Sequence, residues 1–288
     1  MRQSVKNIGL ERAIRFLLPH FVTAGDLAKG IQQSIINGDK ISQPTQKSGD
    51  RFPSALTDAD LLVESFLGIH LYTMFDDIVF EGEEKENDRI SAYFPKQAEY
   101  WVTLDPINGT VFFQDGLPFF EIILTICHNW RIGASVVYMP HEEVFYIGIT
   151  GNGAFKTTAD AVARGIPWEQ FRLGNNPQHV ATYQADKETL QNLQSAGFRA
   201  VGIDQYDGSS GWRYHHHGLL TGGICGFVKK RAKLIDWGAF AHIVSLAGGK
   251  NNEPEYDMVT LRTELLVVGT NPEIYEQIFS AVVPKKKE

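Results

Sequence analysis

The sequence lacks the features of several protein classes. It has only two cysteines in 288 residues, Cys127 and Cys225, which excludes a disulfide framework and favours a reducing compartment. No apolar run approaches the roughly 18 residues that a membrane-spanning helix needs. Arg2 and Lys6 are not followed by the apolar core of a signal peptide. The sequence therefore predicts a cytoplasmic protein that has no membrane partner.

Basic residues are also in short supply. Lys and Arg number 27 against 34 Asp and Glu, so the net charge is −7. A nucleic acid backbone is bound by a basic face, so this balance argues against a nucleic acid polymer as the main partner. Hydrophobic residues at 43% and charged residues at 21% are ordinary globular values, which excludes disorder and fibrous repeats.

Hydrophobic periodicity predicts a chain that mixes helices and sheets. A helix is predicted over 9–36, kinked or split at Pro19, and another begins at Thr57, which forms a capping box with Asp60. A period of two then predicts an antiparallel meander with strands at 101–104, 119–127, 133–138 and 143–149. Alternating elements follow, which indicates α/β layering. They are strands at 180–183, 198–203, 224–228 and 265–268, and helices at 187–194, 209–220, 236–247 and 272–282.

Two polar segments are open to more than one interpretation. The stretch 37–54 has no apolar pattern, and a loop of this length is usually either mobile or functional. The run His215-His216-His217 falls in the helix predicted over 209–220. Consecutive side chains on a helix point about 100° apart, so the three cannot jointly bind one ion, and we expect them at a surface or an interface.

Several acidic residues stand where they can hold a cation. Asp105 ends a predicted strand, and the chain then breaks into Pro106-Ile107-Asn108-Gly109-Thr110. Oxygen-rich sites of this kind suit hard cations such as Mg²⁺. Asp236 precedes a predicted helix, where a plain N-cap is the alternative. Asn108-Gly109 alone is equally typical of a hairpin turn.

Taken in order along the chain, these motifs resemble the inositol monophosphatase family. The resemblance covers roughly residues 10 to 270 and is carried by Thr57–Glu64, Gly82-Glu83-Glu84, Trp101–Thr110, Gly116-Leu117-Pro118, Val136–Pro140, Gly151–Ala154, Gly208-Ser209, Asp236-Trp237 and Ala247-Gly248-Gly249. The family consists of Mg²⁺-dependent, lithium-sensitive phosphatases. Its fold, similar to that of fructose-1,6-bisphosphatase, is a layered α/β/α/β/α sandwich. The resemblance thus implies an α+β layered fold, with 1–157 and 158–288 as two subdomains of one phosphatase unit.

The resemblance also implies a two-metal site. Glu83, Asp105 and the Ile107 carbonyl would hold one Mg²⁺. Asp105 would bridge to a second, held also by position 108 and Asp236. Two metals of this kind clamp the attacking and leaving oxygens of a phosphoryl displacement.

The remaining roles that the resemblance implies concern water and phosphate. Thr110, hydrogen-bonded to Asp60, would act with Glu83 in activating the attacking water. The N–H groups of Gly109 and Thr110, together with Ser209, would bind the phosphate.

The sequence departs from the family at position 108, where Asn108 stands in place of an aspartate. An amide oxygen can still bind Mg²⁺, but three formal negative charges remain instead of four, which predicts weaker binding of the second metal. Three explanations stay open. The asparagine is an engineered inactivating change, a natural feature with lower Mg²⁺ affinity, or the mark of a non-catalytic relative.

A second departure lies before Asp236, where the family usually has an acidic residue that contacts the polyol. Here Lys229 and Lys230 belong to a basic run, which is either a solvated strand end or a site for a second anionic group of the substrate. The resemblance, taken with these departures, implies a homodimeric phosphomonoesterase for a small phosphorylated sugar, polyol or nucleotide. The alternative is a non-catalytic binding or regulatory protein.

Overall fold

The computed structural model describes residues 2–38, 45–46, 55–84, 88–129, 131–174, 177–208, 214–252 and 262–283. They form two compact units, Met1–Gln170 and Phe171–Glu288. The sequence placed the division after residue 157. In the structure it follows Gln170, because the short strand Glu169–Gln170 still pairs with the sheet of the first unit. Ser209 and nearly all of the 37–54 segment lie outside the described residues.

The first unit is built on a seven-stranded sheet. Its strands are β3 (Ile78–Gly82), β4 (Tyr100–Asn108), β5 (Glu121–His128), β6 (Arg131–Met139), β7 (Val144–Ile149), β8 (Gly153–Thr158) and β9 (Glu169–Gln170), and they lie in that order. The first pair is parallel and every later pair is antiparallel. The predicted meander is therefore confirmed. A two-stranded ribbon, β1 (Thr45–Gln46) with β2 (Ala55–Leu56), is separate from the sheet.

Helices cover one face of this sheet. They are α1 (Val5–Ile8), α2 (Leu10–Asn37), α3 (Asp58–Met74), α4 (Asp88–Ser91), α5 (Thr110–Gln114) and α6 (Ala159–Ala163). Of the kink or split predicted at Pro19, the split is wrong, because α2 continues through this residue. Leu17, Leu18 and Phe21 are buried on both sides of this proline, so core packing holds the helix together there.

The helix-facing residues of the sheet alternate with a second, more polar set. Val102 and Leu104 of β4 and Ile122 and Leu124 of β5 belong to the core that α2 and α3 cover. Because successive strand residues point to opposite faces, Thr103 and Asp105 of β4, and Glu121 and Ile123 of β5, point away from the helices. The polar face of the sheet is therefore the one that carries the candidate carboxylates.

The second unit has a five-stranded sheet with helices on both faces. Its strands are β10 (His179–Tyr183), β11 (Arg199–Gly202), β12 (Gly226–Lys233), β13 (Lys250–Asn251) and β14 (Arg262–Gly269), in the order β11-β10-β12-β14-β13. The helices are α7 (Lys187–Ser195), α8 (Gly218–Thr221), α9 (Leu234–Leu246) and α10 (Pro272–Val282). Residues of α7 and α10 pack with Val228, whereas Trp237 of α9 stacks on Phe227, the neighbouring residue on the opposite face. The predicted alternation of strands and helices is confirmed.

In its described part, the helix predicted over 209–220 is confirmed only from Gly218 onwards and is wrong over 214–217. Helix α8 begins only at Gly218 and ends after one turn, because the chain turns at Gly222 with φ of 92°. His215 and His217 precede the helix, and their rings pack edge to face with centroids 4.6 Å apart. All three histidines are buried, so of the two expected positions the surface is wrong, and the interface stays a prediction.

Two further observations concern the cysteines and the membrane. Cys127 and Cys225 are both buried. Within the described ranges, no helix has both the length and the apolar character that a membrane crossing needs.

Candidate active site

A β-bulge sets the direction of the Asp105 and Asn108 side chains. Asp105 pairs with Ile123 and Asn108 with Glu121, so three steps along β4 match two steps along β5. In a regular strand, residues three apart face opposite sides of the sheet, but the extra residue of a bulge cancels one alternation. Asp105 and Asn108 therefore share the face that the helices do not cover. Ile107, between them, packs into the helix-side core.

The parallel pairing of β3 with β4 brings Glu83 to the same place. Gly82 is in register with Leu104, and the Glu83 N–H donates to the Leu104 carbonyl at 3.1 Å. Glu83 thus lies beside Asp105, one step beyond the last strand pair. A carboxylate oxygen of Glu83 and one of Asp105 lie within 4.8 Å of each other. This is close enough for both side chains to bind a single cation.

Asp60 joins the start of α3 to Thr110. Its Oδ2 accepts the Thr57 N–H at 2.7 Å and the Thr57 hydroxyl at 2.6 Å, which confirms the predicted capping box. Its Oδ1 lies 3.5 Å from the Thr110 hydroxyl, as the family pattern implies. The same hydroxyl is closer to the Ile107 carbonyl, at 2.9 Å. Since a hydroxyl has one proton, these two acceptors compete for it.

The carboxylates of this region are buried, and burial penalises their charge. Desolvation raises the pKa of Asp60 to about 8, against hydrogen bonds from Thr57 that favour the ionised form. Burial also raises the pKa of Glu64 to about 8, and the charges of Glu84 and Glu83 add to both effects. A group of buried oxygen ligands with this excess of negative charge fits a divalent hard cation, which favours the ionised forms.

Gly109 makes the turn from the strand into α5. Its φ is 91°, a left-handed conformation, and a Cβ atom there would lie 2.6 Å from the Phe119 carbonyl oxygen. Glycine is therefore required by both conformation and space. The turn places the first N–H groups of α5, from Thr110 onwards, directly after Asn108 in the chain.

Three candidate residues belong to the second unit. Asp236 lies in the first turn of α9, with its Oδ1 3.7 Å from the Lys233 ammonium. The N-cap of this helix is Lys233, so the alternative interpretation of Asp236 as an N-cap is wrong. The structure places Lys229 and Lys230 on β12, in consecutive positions and therefore on opposite faces of the sheet.

The two lysines have different surroundings. Lys229 lies on the same face as Phe227, towards α9, and it is buried. Its ammonium is 3.6 Å from the centroid of the Tyr183 ring and 3.2 Å from the Gln184 amide oxygen. Burial lowers the pKa of Lys229 to about 7. Lys230 instead forms an ion pair with Asp186, the N-cap residue of α7, so its charge has a structural partner.

The sequence indicated no role for Glu64 and Gly82, which lie close to Asp60 and Glu83 in the chain. Glu64 is buried on α3, one helical turn after Asp60, and its Oε2 accepts the Glu84 N–H at 2.9 Å. Gly82 is packed against the Glu64 carboxylate. The available sequence signal was an acidic residue on the buried face of a helix, between Val63 and Leu67 and four residues after Asp60.

Comparison with known proteins decides the family. The model of the inositol monophosphatase family matches residues 22–287. The chain belongs to the inositol monophosphatase family. The α+β layered fold is confirmed too, because the solved extragenic suppressor protein SuhB of Bartonella henselae superposes with a TM-score of 0.71. That match has 20% sequence identity and covers 96% of this chain and 100% of the other.

Relatives within the inositol monophosphatase family differ in name and in extent of match. The chain is 34% identical to a fructose-1,6-bisphosphatase of Pyrococcus furiosus over 74 residues, which are 26% of this chain and only 29% of that enzyme. It is 22% identical to an inositol monophosphatase of Dictyostelium discoideum over 231 residues, 80% of this chain and 83% of the relative. Members of the family are metal-dependent phosphatases, and their names differ in the phosphate ester they specify.

Proposed function

We propose that this protein is a Mg²⁺-dependent phosphomonoesterase. The observation that supports the proposal best is the pairing of Glu83 with Asp105, whose carboxylate oxygens approach within 4.8 Å on the polar face of the first unit's sheet. Oxygen ligands of this charge fit Mg²⁺. The family match supplies the reaction class, because its members are phosphatases.

The proposed ligand set follows from the site residues. Glu83, Asp105 and the Ile107 carbonyl would hold one ion, and Asn108, Asp105 and Asp236 would hold the second. When bound, the ions neutralise the phosphate charge and lower the pKa of water. Asp236 is proposed as a ligand of the second ion because the family pattern has an aspartate in this role. Asn108 would contribute an amide oxygen, which carries no charge.

The other residues orient water and phosphate. Asp60 is fixed by two donors from Thr57, so its second oxygen is held towards Thr110. We infer that this pair positions the attacking water, together with Glu83. The N–H groups of Gly109 and Thr110, at the start of α5, hold the phosphate oxygens, and Ser209 is proposed to assist them.

The substrate is proposed to be a small phosphorylated sugar, polyol or nucleotide that has a second anionic group. Lys229 supports this, because it is a buried cation on the α9 face of β12, whereas a polyol alone needs no positive charge there. Lys230 is the weaker candidate for the same task, since Asp186 already pairs with it.

Release of phosphate from a panel of sugar, polyol and nucleotide phosphates tests the function. We expect Mg²⁺-dependent turnover by the full chain, abolished by EDTA. Asp105→Asn should lower kcat by roughly 100-fold or more, because Asp105 is a ligand of both ions. Asp160→Asn is the matched control, since Asp160 is exposed and pairs with Arg164, four residues on in the same unit. Equal activities of the two variants would contradict the proposed role of Asp105.

A non-catalytic binding protein is the second candidate, and Asn108 is the observation that favours it. A missing charge weakens the second ion, on which two-metal chemistry depends. The variant Asn108→Asp separates the two possibilities. If neither the chain with Asn108 nor this variant releases phosphate at any Mg²⁺ concentration, the binding role becomes the better description.

A further inference from the structure

The buried carboxylate of Glu64 binds the backbone segment that carries Glu83. Glu64 is 2% exposed, and its Oε2 accepts the backbone N–H of Glu84 at 2.9 Å. Glu83 itself is anchored on its other side, where its N–H donates to Leu104 of β4. Helix α3 and strand β4 thus each hold one backbone amide of the Glu83-Glu84 pair.

Gly82 shows how closely this contact is packed. A Cβ atom on Gly82 would lie 2.3 Å from Glu64 Cδ and 2.4 and 2.6 Å from its two carboxylate oxygens. Gly82 is not among the glycines with a positive φ. Its backbone is therefore open to any residue, and glycine is needed there for space alone. The alternation of β3 explains the arrangement, because Ile78, Phe80 and Gly82 face the helices while Glu83 faces the opposite side with Asp105.

We propose that Glu64 is a positioning residue for the metal site and that Gly82 is the space it requires. Glu64 does not touch the cation. It fixes the backbone of Glu84, and this sets the direction in which Glu83 leaves the end of β3. The proposal rests on the metal site of the proposed function, and it adds a helix-borne carboxylate that determines the geometry of a ligand on the other face of the sheet.

Titration of the metal-free full-length chain with Mn²⁺, followed by electron paramagnetic resonance, tests the role directly. We expect Glu64→Ala to weaken Mn²⁺ binding about 10- to 100-fold, the usual effect of removing a residue that orients a metal ligand. Leu67→Ala is the control, because Leu67 is buried on the same helix three residues later. It should lower thermal stability by a comparable or larger amount and leave Mn²⁺ affinity unchanged.

Gly82→Ala supplies an independent second variant. Its Cβ displaces the Glu64 carboxylate, so it should weaken Mn²⁺ binding as much as Glu64→Ala does. Since both changes break one contact, the double variant should be no weaker than either single one. Additive losses, or unchanged affinity in Glu64→Ala, would overturn the proposal.

The outcome for the positioning role is separate from the outcome for the proposed function. A chain that binds Mn²⁺ but hydrolyses no phosphate ester leaves the role of Glu64 measurable and contradicts the phosphatase alone. A natural chain that binds no divalent cation overturns both.

Discussion

Lys229 shows how a single residue can be unfavourable for folding and still suit a function. Its ammonium is buried, and the pKa falls from 10.5 to about 7. A charged lysine in this position costs folding free energy at neutral pH. The cation–π contact with Tyr183 and the contact with Gln184 offset only part of that cost. A buried cation of this kind is available to bind an anion at little further cost in desolvation.

We predict that Lys229→Met stabilises the protein at pH 7 and weakens the binding of doubly anionic substrates. Between pH 7 and about 10.5 the unfolded chain binds more protons at this position than the folded chain, so the natural protein gains stability as pH rises through this window. The variant should lack that gain. Urea unfolding at pH 7 and pH 10 measures it, with a difference of a few kcal/mol at most.

The matched control is Lys230→Met, which removes an exposed ion pair. Such pairs contribute about 0–1 kcal/mol, so little change is expected at either pH. A bisphosphate substrate should show a higher KM with Lys229→Met than with Lys230→Met. Equal KM values would remove Lys229 from the substrate site.

At the scale of elements, the capping box at the start of α3 has a second purpose. Thr57 caps the helix by accepting the Ala59 N–H at 3.2 Å, and it also donates to Asp60. We predict that Thr57→Ala lowers stability by about 1–2 kcal/mol and lowers kcat in addition, because Asp60 loses the donor that fixes it near Thr110. Chemical denaturation and phosphate release measure the two effects.

Thr158 provides the control for this prediction. It caps α6 in the same unit by accepting the Ala161 N–H at 3.1 Å, and no candidate site residue lies in that helix. Thr158→Ala should therefore lower stability and leave kcat unchanged. A loss of kcat in both variants would mean that activity follows stability alone.

The pairing of β4 with β5 places Asn108 opposite Glu121, which is fully buried. Side chains of directly opposed residues lie on one face about 5 Å apart, and like charges in such a pair repel. We predict that Asn108→Asp destabilises the metal-free protein and that Mg²⁺ restores stability by more than it does in the chain with Asn108. Melting temperatures with EDTA and with saturating Mg²⁺ measure this.

The double variant Asn108→Asp with Glu121→Gln is the control, because it removes the like-charge pair. Its metal-free stability should exceed that of Asn108→Asp alone. If Asn108→Asp and the chain with Asn108 have the same melting temperature in EDTA, the two side chains do not interact.

Elements with strong local signals could be predicted from the sequence. Helix α10 begins and ends where predicted, because Asn271 caps it and Pro272 fixes its first turn. Strand β3 was missed, since five residues after Asp76-Asp77 show no clear period. Among the candidate site residues, Glu83, Asp105 and Asp60 could be identified from the sequence, because they stand in the motifs that resemble the family. The contact between Gly82 and Glu64 could not be predicted, because it joins residues 18 positions apart through the packing of a helix on a sheet.

At the scale of the whole molecule, the excess of acidic residues separates the catalytic proposal from a role on nucleic acid. With a net charge of −7, the chain lacks the overall positive charge that favours a phosphate backbone. We predict no shift of a structured RNA in a gel mobility assay with about micromolar protein at 150 mM salt. Binding that weakens steeply as salt rises would contradict this and favour the regulatory alternative.

The bulge between Asp105 and Asn108 also explains how a proline can stand inside β4. This strand has neighbours on both sides, β3 and β5, and a proline in the middle of a sheet removes a ladder hydrogen bond. Neither Pro106 nor Ile107 is in register with a residue of β5, so Pro106 stands where the ladder has no bond to lose on that side. A chain shortened by one residue there would pair regularly with β5 and would still carry Asp105 and Asn108, then two residues apart, on one face. The extra residue is therefore what lets the backbone leave the ladder before Gly109 turns it into α5.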